Sequence, residues 1–248
     1  MNNGPPPEPR PVRLNPGSRT AIILVSVLGI SVLYFLVGSP HFYERYLGSY
    51  TDAGSFGFLA PSLYHFAVTL VLFFFLPAAI IRNILGEKLP DFGWRTGDRR
   101  AGWLSLAWGV PLVILLGWLS SRQPEFRLQY PLFISRLDSF PLRGQNVTLF
   151  ILYQFTYIFY YIGWEFFFRG FALFGLKDGL GTTGALVFQA VISTALHAAK
   201  PAPELLAALP GGIVFGLVAL RCRSLGAVIV AHWMLGFSLD LFILLGAG

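Results

Sequence analysis

The chain is poor in cysteine and in nucleotide-binding signatures. Cys222 is the only cysteine among 248 residues, which excludes an internal disulfide, and we expect it to be a small packed residue. The sequence contains no P-loop, no GxGxxG fingerprint and no internal repeat. These absences leave no sequence support for a disulfide-stabilised, nucleotide-binding or solenoid protein.

Charged residues are also scarce. They make up 12% of the chain, where about a quarter is usual for a soluble domain, and 55% of the residues are hydrophobic. The net charge of +6 comes from basic residues between apolar runs, so membrane topology explains it better than nucleic-acid binding. The composition predicts an integral membrane protein whose partner is the lipid bilayer, with no nucleic acid.

The apolar residues form blocks of roughly 18 or more, the length needed to cross a bilayer. Residues 1–19 are rich in proline and predict a disordered tail, followed by one transmembrane domain at 20–248. The predicted fold class is all-α, a polytopic transmembrane helix bundle of about seven spans. These spans are 20–38, 58–81, 101–120, 147–175, 182–199, 205–221 and 224–246.

The basic residues favour one orientation. With the amino terminus in the cytoplasm, twelve Lys and Arg residues fall on the inner side and six on the outer side. The sequence therefore predicts a multi-pass protein of the cell membrane with a cytoplasmic amino terminus. The segment 121–145, with its arginines and aromatics, is expected to lie in the interface or to re-enter the membrane.

A Glu and an Arg lie inside the fourth predicted span, in GWEFFFRG at 163–170. Each charge costs about 2.5–3.5 kcal/mol near a bilayer centre, so both must face the bundle interior or a wet cavity. Glu165 and Arg169 are spaced i,i+4, which also suits a purely structural ion pair.

Two of the four histidines lie within predicted spans of the carboxy-terminal half. His197 is in the fifth span and His232 in the seventh, and a rise of about 1.5 Å per residue places both at a depth similar to that of Glu165. We therefore expect the three to share one polar cavity. His41 and His65 fit interfacial or packed positions, and we assign them no chemistry.

This set of residue types suits peptide hydrolysis. A buried carboxylate can act as general base towards water, and histidines can hold the water or polarise a carbonyl. Two His and one Glu also match a catalytic zinc site, but the chain has no HExxH, so a divalent metal such as zinc stays an open alternative. Gly212 and Gly216 form a GxxxG that predicts close helix packing.

Residues 147–246 resemble the CPBP intramembrane endopeptidases, the group of the type II CAAX prenyl proteases and the bacteriocin-processing (Abi) proteins. Their signature is EExxxR, then FxxxH, then a His followed four residues later by Asn or a small residue. Glu165 and Arg169 match the first motif, His197 the second and His232 the third. The resemblance implies a peptidase-like core in which Glu and His activate water and Arg169 holds the carboxylate.

The chain departs from these motifs at three positions. Trp164 stands where the family usually has its first glutamate, Ser193 where FxxxH has Phe, and Gly236 where the third motif often has Asn. Asp240 is either a supporting group for the site or a helix-end residue. Glu204 is either a helix-start charge or part of the site.

The leading hypothesis is an intramembrane endopeptidase acting on protein or peptide substrates. Glu165 would be the base, Arg169 its orienting partner, and His197 and His232 the groups that hold water or polarise the carbonyl. One alternative is a non-catalytic membrane binding or immunity protein that keeps the same fold. A second is a transporter that uses these charges as a proton relay, although no inverted repeat supports it.

Overall fold

The computed structural model describes residues 14–48, 59–133 and 144–246. Within these ranges the regular structure is helical and contains no strand. The helices are α1 (Pro16–Val37), α2 (Pro40–Tyr46), α3 (Ala60–Ile84), α4 (Arg99–Ser121), α5 (Pro124–Gln129), α6 (Gln145–Glu165), α7 (Gly175–Ala195), α8 (Ala202–Cys222) and α9 (Gly226–Leu245). A 3₁₀ turn covers Leu89–Phe92, and a π-helical segment, Phe166–Phe174, joins α6 to α7.

Six helical runs of the described chain are long and apolar enough to cross a membrane. This confirms the predicted all-α polytopic bundle. One of the runs, Asn146–Ala195, is 50 residues long and contains the predicted span 147–175 and most of the predicted span 182–199.

The chain reverses inside that run at Gly181. This residue has φ 72° and ψ 159°, which is not helical and which only glycine adopts readily. The rings of Trp164 and His197 lie 5.2 Å apart, whereas a continuous helix would separate them by about 50 Å. The run is therefore a helical hairpin, and its two arms correspond to the two predicted spans.

The first span begins earlier than expected. The side chain of Asn15 accepts a hydrogen bond from the Ser18 backbone amide, and Pro16 occupies the first turn, where its fixed φ suits a helix start. Residues 16–19, predicted as part of the disordered tail, are therefore helical. Residues 1–13 of that tail lie outside the described residues.

The segment after α4 contains a short helix that the sequence did not predict. Phe126 of α5 is buried and packs in a cluster with Leu239 and Ile243 of α9. Residues 134–143 lie outside the described residues, so the interfacial or re-entrant path expected for 121–145 stays a prediction.

The core that supports the candidate site is aromatic. Phe66 stacks on Tyr157 at 4.5 Å, and Phe73 stacks on Phe167 at 4.3 Å, which joins α3 to α6 and to the π-helical segment. Aromatic pairs of this kind contribute about 0.5–1.5 kcal/mol each beyond their burial. Gly163 permits the close approach, because a Cβ there would lie 2.9 Å from the Thr69 carbonyl oxygen.

Helices α7 and α8 meet through the GxxxG pair. A Cβ on Gly212 would lie 3.1 Å from the Cβ of Ala190, and a Cβ on Gly216 would overlap Leu186. The packing role predicted for the two glycines is confirmed.

Candidate active site

Glu165 and Arg169 form a buried ion pair at the end of α6. Glu165 is fully buried and Arg169 is 2% exposed, and Arg169 Nη1 donates to Glu165 Oε1 at 3.2 Å. The helix changes to π winding at Phe166, directly after Glu165. π winding also occurs within α3, at Val71–Phe75 and Ile80–Ile84, so it does not by itself mark the site.

His232 of α9 contacts the same carboxylate oxygen. Its Nδ1 lies 2.6 Å from Glu165 Oε1, so α6 and α9 are joined by a hydrogen bond between their polar side chains. An ionised carboxylate can only accept, so Nδ1 carries the hydrogen and Nε2 keeps a lone pair when the ring is neutral. We call Glu165, Arg169 and His232 the carboxylate cluster.

The two oxygens of Glu165 have different surroundings. Oε1 accepts from both Arg169 and His232, whereas Oε2 is buried with no hydrogen-bond partner among the described residues. A buried charged oxygen without a partner is costly, because it has lost its hydration. Oε2 is therefore the acceptor that a water molecule or a substrate group would satisfy.

His197 approaches from the other arm of the hairpin, just after α7 ends. Its Nδ1 lies 2.7 Å from the Ser193 carbonyl oxygen, which can only accept, so Nε2 again keeps the lone pair. Its ring packs edge-on against Trp164 at 5.2 Å and forms no hydrogen bond to Glu165 within the described structure. The structure thus brings Glu165, Arg169 and His232 into direct contact, whereas the contacts of His197 are with Ser193 and Trp164.

Trp164 occupies the place where the resemblance would put a glutamate. Its side chain is almost fully buried and packs against Phe168 at 4.9 Å and against Tyr160 and Phe73 at 5.6 Å each. Its indole Nε1–H has no acceptor among the residues that the structure describes. The position therefore offers a hydrogen-bond donor where a glutamate would offer an acceptor.

Gly236 is explained by Tyr161. A Cβ at position 236 would overlap the Tyr161 hydroxyl, so an Asn at this position would displace the tyrosine. The Tyr161 ring lies 4.7 Å from the His232 ring. Tyr161 was not predicted as a site residue, although its position one turn before Glu165 on the same helix face was a usable signal.

Phe215 of α8 is a second residue that the sequence did not reveal. Its ring lies 5.2 Å from the His232 ring, and the Arg169 guanidinium lies 5.6 Å from its centroid. This geometry is that of a cation–π contact, which is strongest where water is excluded. Nothing in the spacing of α8 distinguishes Phe215 from the other apolar residues there.

Asp240 lies five residues before the end of α9 and makes no hydrogen bond to Glu165 within the described structure. It is fully buried and accepts a hydrogen bond from Gln154 Nε2 at 2.8 Å. Its position near the end of α9 agrees with the helix-end expectation, and a supporting role for the site stays a prediction. Asp240 and Gln154 make a separate polar contact between α6 and α9.

Glu204 belongs to a polar group near the turn between α7 and α8. The Tyr130 hydroxyl donates towards both Glu204 oxygens at 3.0 Å, and Lys200 Nζ donates to that hydroxyl at 2.8 Å. Burial, together with the nearby Glu204 charge, raises the pKa of Tyr130 well above its usual value, so the hydroxyl stays a donor.

The other histidines are placed as the sequence suggested. His65 is buried against the Gly38 carbonyl, and His41 is exposed beside Glu44. Across the described ranges, no group of three or more His, Cys, Asp or Glu side chains could hold a metal ion.

Residues 146–238 match the family model described as type II CAAX prenyl endopeptidase Rce1-like. The match covers less than half of the chain and includes the carboxylate cluster, Trp164 and His197. No curated protein and no solved structure matches the chain. The family resemblance predicted from the sequence is confirmed over this segment.

Proposed function

We propose that the protein is an intramembrane endopeptidase in which Glu165 activates the attacking water. The single observation that carries this proposal is the asymmetry of the Glu165 carboxylate. One oxygen is held by Arg169 and His232, and the other is buried without a partner among the described residues. The match to an endopeptidase family over residues 146–238 supports the reaction class.

The proposed reaction begins with a water molecule hydrogen-bonded to Glu165 Oε2. Glu165 takes a proton from this water, the water oxygen attacks the peptide carbonyl carbon, and the C–N bond breaks as the proton passes to the leaving nitrogen. A positioned general base contributes about 10²–10⁴ in rate. Arg169 and His232 hold the carboxylate in place, since both bind Oε1.

The hydrogen-bonding groups left free suggest different roles: the histidines offer acceptors, and Trp164 offers a donor. With Nδ1–H donated, Nε2 of His197 and of His232 accepts hydrogen bonds and therefore suits the water better than the carbonyl oxygen. The unpaired Trp164 indole N–H is the donor suited to the negative oxygen of the tetrahedral intermediate.

The substrate class we propose is a protein or peptide that reaches the bundle from the bilayer, such as a membrane-attached carboxy-terminal segment. A prenylated substrate is supported only by the family description. We further propose that the protein lies in the cell membrane with its amino terminus in the cytoplasm. Labelling of single cysteines placed in exposed loops of a Cys222→Ser chain, in sealed right-side-out vesicles, tests this orientation.

The test of the enzyme proposal is proteolysis in liposomes. Purified wild-type protein is mixed with a candidate membrane proteome, and new termini are read by mass spectrometry. We expect cleavage that is lost with Glu165→Gln and with His197→Ala and kept with Glu125→Gln, which changes an exposed acid on α5. Identical products from wild type and Glu165→Gln would contradict the proposal.

The second candidate is a non-catalytic binding or immunity protein. The observation that favours it is the tight aromatic packing of Trp164 at the position of a motif glutamate. In this case a captured peptide would bind equally well to wild type and to Glu165→Gln, and neither would cleave it.

A further inference from the structure

A cavity lies at the opposite end of the bundle from the turn between α7 and α8, where His197 lies. Its volume is about 510 Å³, and its lining includes Trp94, Arg95, Arg99, Trp103 and Leu106. Three spans begin or end around it, because α4 starts at Arg99, α8 ends at Cys222 and α9 starts at Gly226. The cavity therefore lies where the bundle meets one surface of the membrane.

The walls of this cavity are held by hydrogen bonds between two loops. Asp98 N donates to the Cys222 carbonyl at 2.7 Å, and Leu225 N donates to the Gly93 carbonyl at 3.2 Å. Arg95 Nε donates to the Arg223 carbonyl at 3.0 Å. Gly97, with φ 58°, allows this contact, since a Cβ there would overlap the Cys222 carbonyl oxygen. The cavity is thus shaped before any ligand arrives.

The surroundings of the cavity are strongly basic. Residues 88–100 and 221–226 contain six Lys or Arg residues and two Asp residues. Asp98 is already satisfied, because its carboxylate accepts from the Ala101 amide and from Arg221. Arg99 is exposed, and its side chain makes no hydrogen bond or ion pair with the residues that the structure describes. The cavity therefore presents uncompensated positive charge to an anion.

One side of the cavity is continuous with a lipid-facing surface. Trp103 lines the cavity and is 71% exposed, and Trp108, about one and a half turns further along α4, is 81% exposed. Trp103 is four residues from the start of α4, and an exposed tryptophan near a helix end is typical of the membrane interface. An occupant of the cavity thus meets arginines at one end and the acyl-chain region at the other.

We propose that this cavity binds an anionic phospholipid, with the headgroup phosphate between Arg95 and Arg99 and an acyl chain along Trp103 and Leu106. Basic pockets between spans at a membrane surface are suited to anionic headgroups, and the volume is in the range of small-molecule sites. The proposal uses none of the residues assigned to peptide hydrolysis. It therefore stands or fails independently of the proposed activity.

The test is native mass spectrometry of the full chain in non-ionic detergent, where no charged bilayer surface contributes. The probes are phosphatidylglycerol, phosphatidylcholine and inorganic phosphate. We expect one phosphatidylglycerol per chain, bound at least about fivefold more tightly than phosphatidylcholine, which has a phosphate but no net charge. Arg99→Gln should weaken phosphatidylglycerol binding about fivefold. Arg95→Gln together with Arg99→Gln should weaken it about 25-fold.

The chain supplies matched controls. Arg100→Gln changes a neighbouring exposed arginine that does not line the cavity and should alter binding less than about twofold. Trp103→Leu should weaken phosphatidylglycerol binding, and Trp108→Leu should leave it unchanged. Equal binding of the two lipids, equal losses with Arg99→Gln and Arg100→Gln, or displacement of the lipid by inorganic phosphate would each overturn the proposal.

Discussion

Replacing Glu165 by Gln separates the structural role of the carboxylate cluster from its chemical role. The change keeps the size of the side chain but removes the charge opposite Arg169, whose side chain is 3% exposed. Leaving a buried charge without its partner costs about 3–5 kcal/mol. At about 2–4 °C per kcal/mol for a chain of this size, the thermal midpoint should fall by about 6–20 °C.

A second variant, Glu165→Gln with Arg169→Met, removes both charges. Replacing a whole buried ion pair by groups of similar volume is often neutral or stabilising, so we expect the thermal midpoint to return to near the wild-type value. Cleavage should not return, because the base is absent from both variants and its loss lowers kcat by about 10²–10⁴. Thermal unfolding in detergent, followed by circular dichroism, and cleavage in liposomes give the two readouts.

The reasoning is refuted in two distinct ways. If the double variant recovers cleavage along with stability, Glu165 is not the base and its role is structural. If Glu165→Gln alone leaves the thermal midpoint unchanged, Arg169 does not depend on this carboxylate. Glu125→Gln on α5 is the control for a loss of negative charge at an exposed site and should change neither readout.

Three further predictions rest on the packing around the site. Gly212→Ala should lower the thermal midpoint, because the added Cβ would meet Ala190. In the control Gly211→Ala, nothing lies within 4 Å of the added Cβ, so the midpoint should rise slightly. Gly236→Ala should cost about 1–3 kcal/mol in the free energy of unfolding, and adding Tyr161→Phe should recover part of this, because the overlapping hydroxyl is then removed. An unchanged midpoint on adding Tyr161→Phe would show that the hydroxyl does not limit this contact. Trp164→Phe keeps an aromatic ring but deletes the unpaired N–H, so kcat should fall about 10²-fold with KM nearly unchanged, while Trp108→Phe should have no effect on cleavage. Full activity in Trp164→Phe would show that the indole N–H is not a donor to the reaction.

The sequence predicted the fold well because hydrocarbon thickness limits the length of each apolar run. It also predicted two arms for residues 146–195, because Gly181 and its neighbours break the apolar pattern. The two arms form one long helical run that is kinked at Gly181. The start of α1 was placed four residues late because proline suggested a tail, whereas Pro16 is in the first turn of a helix capped by Asn15. The fixed φ of Pro16, which suits a helix start, therefore explains where α1 begins.

The candidate site was predictable where one helix carries both partners. The i,i+4 spacing of Glu165 and Arg169 brings the two side chains together. The free-energy cost of placing charges in the hydrocarbon favours turning the pair towards the bundle interior. The similar depth of His232 and Glu165 predicted a shared cavity. Depth does not give the rotation of α9 about its axis, so their direct contact was not predicted. For the same reason the sequence did not predict the partner of Asp240, since its pairing with Gln154 depends on how α9 is turned towards α6.

The turn at Gly181 has a consequence for how the chain could change over evolution. Trp164 and His197 lie at nearly equal numbers of residues from it, 17 and 16, and that symmetry brings their rings to the same level. Lengthening one arm by a single helical turn would move its aromatic ring by about 5.4 Å relative to the other. Insertions between these two residues should therefore be tolerated only in matched amounts on both sides of the turn.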